Sequence, residues 1–194
     1  MINLFPLTKV ITTLCAIYAF ILFTIFSFSG NSLTSSEIFR YASLFEFLIF
    51  MLFTIGWKWI WKVIPKLNDL IFPNLNGEWD VKINWCWKKD NETKEGTVNG
   101  KVYIKQTFLT LSMELITEES ESETLAIHPK RQSESGRLVL YYTYLNTPKN
   151  TLVDSKPHRG TAILKLDFAT NDKLEGNYFT DRYTKGTLEL NKKI

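Results

Sequence analysis

The chain has 194 residues, of which 45% are hydrophobic and 22% charged, with a formal net charge of +3. Those averages join two unlike halves: residues 1–73 hold only eight charged side chains but eleven of the fourteen phenylalanines. The first half excludes a simple soluble globule, and the chain as a whole is too hydrophobic and too weakly charged to be disordered.

No residue between Lys9 and Glu37 is charged. Residues 10–28 would span about 28 Å as a helix, enough to cross the hydrocarbon core of a bilayer. A second apolar stretch, residues 42–60, is interrupted only by Glu46 and Lys58. Residues 29–40 between them carry Gly30, Asn31 and several serines and threonines, which is turn chemistry. This spacing predicts a two-helix transmembrane hairpin within a domain of residues 1–64. A cleaved signal peptide fits less well, because the apolar region is long, no small-residue cleavage site follows and a second span comes next.

Lys58, Lys62 and Lys66 follow the second helix and Lys9 precedes the first, against a single Arg40 in the loop. The positive-inside rule then places both termini, and the polar domain, in the cytoplasm. Trp57, Trp59 and Trp61 fall at the same boundary, where indole rings settle among headgroups. Cys15 lies in the first span and Cys86 in the polar domain, so an intrachain disulfide is not expected. Glu46 falls about one turn inside the second helix; it either snorkels to the interface or lines a helix contact or pore in an oligomer.

After a linker at residues 65–73 the pattern changes to alternation. Trp79, Val81, Ile83, Trp85 and Trp87 recur at period two with polar residues between. Similar runs at residues 100–106, 109–115, 125–128, 138–146, 160–168, 174–182 and 186–190 bring the count to eight strands. Turn residues separate them, among them Lys89 to Glu92, Ser133 to Gly136, Asn171 to Lys173 and Arg182 to Lys185. Residues 74–194 are therefore expected to form an all-β domain, an eight-stranded antiparallel up-and-down β-barrel, since closure removes exposed edges. Its interior would hold side chains or one small ligand.

Catalytic motifs are missing. The chain has no phosphate-binding Gly-rich loop, no nucleophile elbow and no His-Glu-x-x-His pair, and only His128 and His158 could serve as imidazoles. We expect no enzyme and no metal. The run Glu118 to Glu123 reads as a solvated hairpin tip that would repel duplex nucleic acid. The polar groups inside regular strands are more informative. Tyr142, Tyr144 and Asn146 share one face of their strand, and Tyr178, Thr180 and Arg182 share one of theirs. Arg182 and Arg137 could fork onto a phosphate, and the aromatic faces could stack a base. Alternatively the tyrosines close a barrel end and Arg182 packs on Trp79.

The chain resembles the transmembrane β-barrel effectors of CBASS, a bacterial antiphage system, also described as SMODS-associated two-transmembrane β-strand-rich effectors. The matching runs are Leu75-Asn76-Gly77-Glu78-Trp79, Ser120-Glu121-Ser122 and Tyr142-Thr143-Tyr144-Leu145-Asn146-Thr147-Pro148. They continue with His158-Arg159-Gly160-Thr161-Ala162 and with Leu174-Glu175-Gly176-Asn177-Tyr178-Phe179-Thr180-Asp181-Arg182. The resemblance implies an effector in the bacterial inner membrane, multi-pass, activated by a cyclic dinucleotide that a partner nucleotidyltransferase makes. It implies no other cofactor. On activation the chain would form a homo-oligomer and disrupt the lipid bilayer, ending in abortive infection. Carried over residue by residue, it marks Tyr144, Asn146, His158, Tyr178, Thr180 and Arg182 as ligand-binding positions. Gly77, Gly160, Gly176 and Gly186 read instead as tight bends or bulges.

Two other readings remain at this stage. Gly77-Glu78-Trp79 also resembles the Gly-x-Trp signature of lipocalins, whose late-strand arginine covers the tryptophan. That would make the protein a membrane-anchored, calycin-like carrier of a lipid or small apolar ligand. Trp85 and Trp87, if exposed, would instead suit a scaffold that binds another protein.

Overall fold

The computed structural model describes residues 7–29, 34–64, 72–89, 92–108, 110–149, 156–167 and 170–193. Helix α1 is Leu7–Ser29. Helix α2, Ser35–Met51, runs through one π turn, Leu52–Gly56, into α3, Trp57–Val63. The second helix thus begins seven residues before the expected start. The reason is a capping box: the Thr34 backbone N–H donates to Glu37 Oε2 at 2.9 Å, so serines that read as loop become a helix N-terminus. Residues 30–33 of the expected turn, residues 65–71 of the expected linker, and residues 90 and 91 of the turn between the first two strands lie outside the described residues.

The α2–α3 run, Ser35–Val63, is 29 residues long and apolar enough to cross a membrane by length and composition; α1 is a 23-residue helix whose described side chains include the apolar stretch Thr12–Ser27. Both helices carry large apolar side chains on the outside, such as Phe20, Phe23, Phe39 and Phe50. They meet where Tyr18 stacks against Phe45 at 5.2 Å and its hydroxyl donates to Ile38 O. Glu46 is exposed, and because the helix starts early it lies three turns in, about 16 Å from Ser35 at 1.5 Å per residue. Among the described residues no ion pair reaches it.

The polar part is a closed barrel of eight antiparallel strands in chain order. These are β1 (Gly77–Lys89), β2 (Glu92–Gln106), β3 (Leu111–Thr117), β4 (Ser120–Arg131), β5 (Leu138–Pro148), β6 (His158–Leu166), β7 (Lys173–Thr180) and β8 (Thr184–Lys192). β8 returns to β1, pairing Trp79 with Lys192 through Trp87 with Thr184. Period-two alternation sends Trp79, Val81, Val102, Leu140, Leu164 and Leu190 inward to the core. β2 and β4 exceed the expected strands, since their charged outer halves follow their partners rather than an apolar pattern. Ser120 to Glu123 of the acidic run therefore lie in β4, and only Glu118 and Glu119 form the tip. The β3–β4 seam is narrow, with Leu115 and Ile116 paired to Ser122 and Glu121. Below it, Thr124 Oγ1 accepts from Met113 N and donates to Met113 O, standing in for a ladder pair.

The two barrel ends differ. At one end Trp79 is fully buried, with its Nε1 donating to Leu75 O at 3.0 Å. Phe72 and Leu75 plug that end, and Pro73 between them is buried as well. Gln106 fixes the plug, accepting from Leu75 N and donating to Pro73 O. Helix α3 sits on the same end: Trp61 Nε1 donates to Phe72 O at 2.6 Å and its ring meets Phe108 edge-on. Trp57 and Trp61 are buried there, and Trp59 alone of the three tryptophans is exposed.

Candidate functional site

The opposite end is open. A cavity of about 500 Å3 enters the barrel there, with a floor of apolar side chains such as Ile83, Val98, Leu115 and Leu188. All six positions singled out in the sequence, Tyr144, Asn146, His158, Tyr178, Thr180 and Arg182, line it. Topology explains the convergence. The C-terminal ends of β5 and β7 and the start of β6 all reach the same mouth, and inward parity places alternate residues on its wall. Glu46 is far along the chain in α2 and takes no part.

Arg182 does not end a strand as expected. β7 stops at Thr180, and Arg182 stands in the β7–β8 turn. Thr180 builds that turn: its Oγ1 accepts from the backbone N–H groups of Arg182 and Thr184 and donates to Thr184 O, each at 3.3 Å. The Thr180 hydroxyl thus positions Arg182. Tyr183 supports the turn with φ 63, a left-handed conformation. Packing of Arg182 on Trp79 is overturned, because Trp79 is at the closed end and Lys192 covers it, with Nζ 5.7 Å from the ring centre. Arg137 is also at the closed end, donating from Nε to Leu166 O and pairing with Glu175, so it does not join Arg182.

The aromatic side chains have a common support. Tyr144 pairs across strands with Gly160, Tyr178 with Gly186, and Trp85 with Gly96. A methyl group on Gly96 or Gly160 would strike the ring beside it, whereas one on Gly186 would first strike the Asn84 backbone carbonyl and only then the Tyr178 ring. Each ring therefore lies over the bare backbone of its neighbour. Gly160, read from the sequence as a bend, is in effect a recess for Tyr144, while Gly186 is a position where the backbone of β1 approaches closely. Tyr142 stacks on Tyr144 at 5.1 Å and donates its hydroxyl to Met113 O. Burial pushes both phenols well above the ordinary range, and pushes that of Tyr178 up to about 12, so all three remain neutral donors.

Charge is confined to the mouth. Lys94 stands over the Trp87 ring, and Trp87 pairs with Thr184 next to the Arg182 turn. Glu119 stands across from it, since the β3–β4 and β7–β8 turns oppose each other in an eight-strand ring. Ser122 Oγ donates to Asn146 Oδ1 at 2.8 Å, which leaves the amide nitrogen as the donor facing the cavity. His158 Nδ1 is buried without a hydrogen-bond partner. Sequence reasoning missed Lys94, Ser122 and Thr184 as site residues, and it placed Trp85 and Trp87 on the surface in one reading. Inward parity of β1 could have placed the tryptophans inside. Lys94 needed the register of a hairpin half with no apolar pattern.

Burial, then the positive charge of Arg182, hold the His158 imidazole below its ordinary value of 6.5, with Asp181 opposing. The unfolded chain then takes up that proton at higher pH than the folded one. This contribution to stability is complete above the unfolded value and is lost as pH falls through it toward the lower folded value. Thermal unfolding of the full chain between about pH 7.5 and 5 should show a falling midpoint, and His158→Gln should flatten that slope. An unchanged slope would assign the acid sensitivity to other groups.

Residues 70–192 match the family described as Cap15, cyclic dinucleotide receptor domain. The chain is also 31% identical over 143 residues to CD-NTase-associated protein 15 of Staphylococcus schleiferi, covering 72% of each sequence.

Proposed function

The chain belongs to the Cap15 cyclic dinucleotide receptor family, and on that premise we propose that its barrel takes a cyclic dinucleotide into the open cavity and acts as a CBASS effector. The observation that carries this reading is the convergence of Arg182, Lys94 and His158 with three glycine-backed aromatic rings around one mouth. A cyclic dinucleotide brings two phosphates and two flat bases, which need cations and π-faces respectively. A volume near 500 Å3 is suited to a ligand of that size.

The domain division proposed is residues 1–64 in the membrane, 65–73 connecting, and 74–194 as receptor. In this reading α1 and the α2–α3 run form a transmembrane hairpin in the bacterial inner membrane with both termini cytoplasmic, as the lysine distribution favours. Ligand binding would drive homo-oligomerisation of the spans and disrupt the bilayer. No step of this requires catalysis by the chain. A partner nucleotidyltransferase would supply the ligand.

The calycin reading is the less favoured of the two. Trp79 does follow Gly77 at a closed barrel end with a late-strand cation, Lys192, over it, but Lys94, Arg182 and hydrogen-bonding groups stand at the mouth above the apolar floor, where a purely apolar ligand would leave them unused. Calorimetric titration of the full chain in detergent against a panel of cyclic di- and trinucleotides tests the proposal. Saturable binding of a cyclic dinucleotide is expected. Binding of fatty acids with no nucleotide response would overturn it.

A further inference from the structure

The mouth of the cavity is divided by charge. On the arc from β6 through β8 to β2 stand His158, Arg182 and Lys94; on the arc from β3 to β5 stand Glu119, Ser122 and Asn146. The described residues lining the second arc include no cation. Lys149 donates its backbone N–H to Glu119 O at 2.8 Å, but its amine turns away to Thr117 O and to the Glu121 carboxylate. Among the described residues no ion pair reaches Glu119. A carboxylate at this mouth repels the phosphates of a ligand, and a site built for phosphate alone would be better without it.

The wall that carries Glu119 is nonetheless held in place. Thr117 Oγ1 accepts from Ser120 N at 3.0 Å and donates to Ser120 O at 3.1 Å, which ties the turn on either side of Glu119. Deeper in the same arc, Ser122 is only 6% exposed and its hydroxyl holds Asn146 Oδ1, so the Asn146 amide offers its nitrogen to the cavity. From Ser122 to Glu119 is three residues, about 10 Å of chain, a gap that a glutamate and an asparagine side chain close to the width of a base edge. Going outward, the wall thus presents one N–H donor and then two carboxylate acceptors. Guanine is the common base whose edge complements that order, with O6, then N1–H and N2–H side by side. Adenine and cytosine offer one amino group beside an acceptor, and uracil sets its single N–H between two carbonyls.

We propose that Glu119 selects the base. Its carboxylate takes N1–H and N2–H of a guanine, while Asn146, positioned by Ser122, donates to O6. The guanine stacks on Tyr144, the next inward residue on β5, and the cationic arc takes the phosphates. Any other base leaves a covered carboxylate oxygen unmet or sets it against a carbonyl, which is how such a site discriminates. This rests on the barrel being a cyclic dinucleotide receptor, and it names the base that the ligand carries.

The test is calorimetric titration of the full chain in detergent with cyclic diguanylate, diadenylate and diinosinate, each in more than one phosphodiester linkage. The three carry the same phosphates, and inosine keeps O6 and N1–H but lacks the exocyclic amino group. Diguanylate should bind about tenfold or more tighter than diadenylate, with diinosinate between them. Glu119→Gln should remove the inosine penalty and raise the affinity for diadenylate, because an amide accepts from N6–H, donates to N1 and takes one negative charge from the mouth. Ser122→Ala, which frees the Asn146 amide to turn, should narrow the guanine preference. Glu118→Gln removes a tip carboxylate that does not line the cavity and should leave the ratios unchanged. Equal affinity for guanine and adenine ligands, binding confined to pyrimidine ligands, an inosine penalty that survives Glu119→Gln, or the same change in Glu118→Gln would overturn the base assignment and leave the receptor standing. Failure to bind any cyclic dinucleotide would overturn the receptor reading and this assignment with it.

Discussion

Arg182→Ala is expected to weaken cyclic dinucleotide binding about a hundredfold, from roughly 3 kcal/mol of lost charge-assisted hydrogen bonding. The thermal midpoint of the unliganded chain should stay where it is. The turn carrying Arg182 is held by the Thr180 hydroxyl and backbone groups, none of which the substitution removes. Arg182→Lys should lose less, because it keeps the charge but not the planar fork. Arg137→Ala supplies the control at the closed end, where its guanidinium serves Leu166 and Glu175. Calorimetry on the three variants decides the matter. Equal loss in Arg137→Ala, or a fall in stability that parallels the fall in affinity, would make Arg182 a folding residue instead.

The barrel was legible because its inward residues are apolar at strict period two. Trp79 to Trp87 and Ala162 to Leu166 could not alternate so without one buried face. What escaped was whatever parity alone does not set. β2 begins at Glu92 because it pairs with a long β1, and nothing apolar in residues 92–97 announces that. The start of α2 escaped because Thr34, Ser35 and Ser36 are turn residues until Glu37 closes the capping box. The six candidate positions came from strand parity together with family resemblance, and the fold brings them to one mouth. The glycine recess beneath Tyr144 could not be read, because it exists only once strand register is known.

The placement of the two barrel ends constrains how a bound ligand could act. The cavity opens away from α3, and a plug containing Phe72, Leu75 and Trp79 lies between them. A ligand at the mouth therefore touches no helix. A closed ladder is stiff, so it transmits the position of the whole barrel better than a local shift within it. On the proposed reading, association of whole barrels would carry the signal, since the cavity does not touch α3.

Gly160→Ala tests whether the aromatic walls matter as recessed surfaces. The added methyl would occupy the space where the Tyr144 ring now lies over the β6 backbone. Either the ring turns into the lumen or the β5–β6 pair is strained, and overpacking of this kind costs about 1–3 kcal/mol. Tyr144 also stacks on Tyr142, so its displacement would narrow the cavity as well as remove one platform. Affinity should fall about tenfold or more, since stacking on an aromatic ring is worth about 1–3 kcal/mol per base. The double variant separates the causes. With Tyr144→Ala in place the methyl has room, so Gly160→Ala should no longer cost stability, while binding stays as weak as in Tyr144→Ala alone. Additive losses in stability would mean that Gly160 is required by the strand itself, and undiminished affinity in Gly160→Ala would remove Tyr144 from the binding surface.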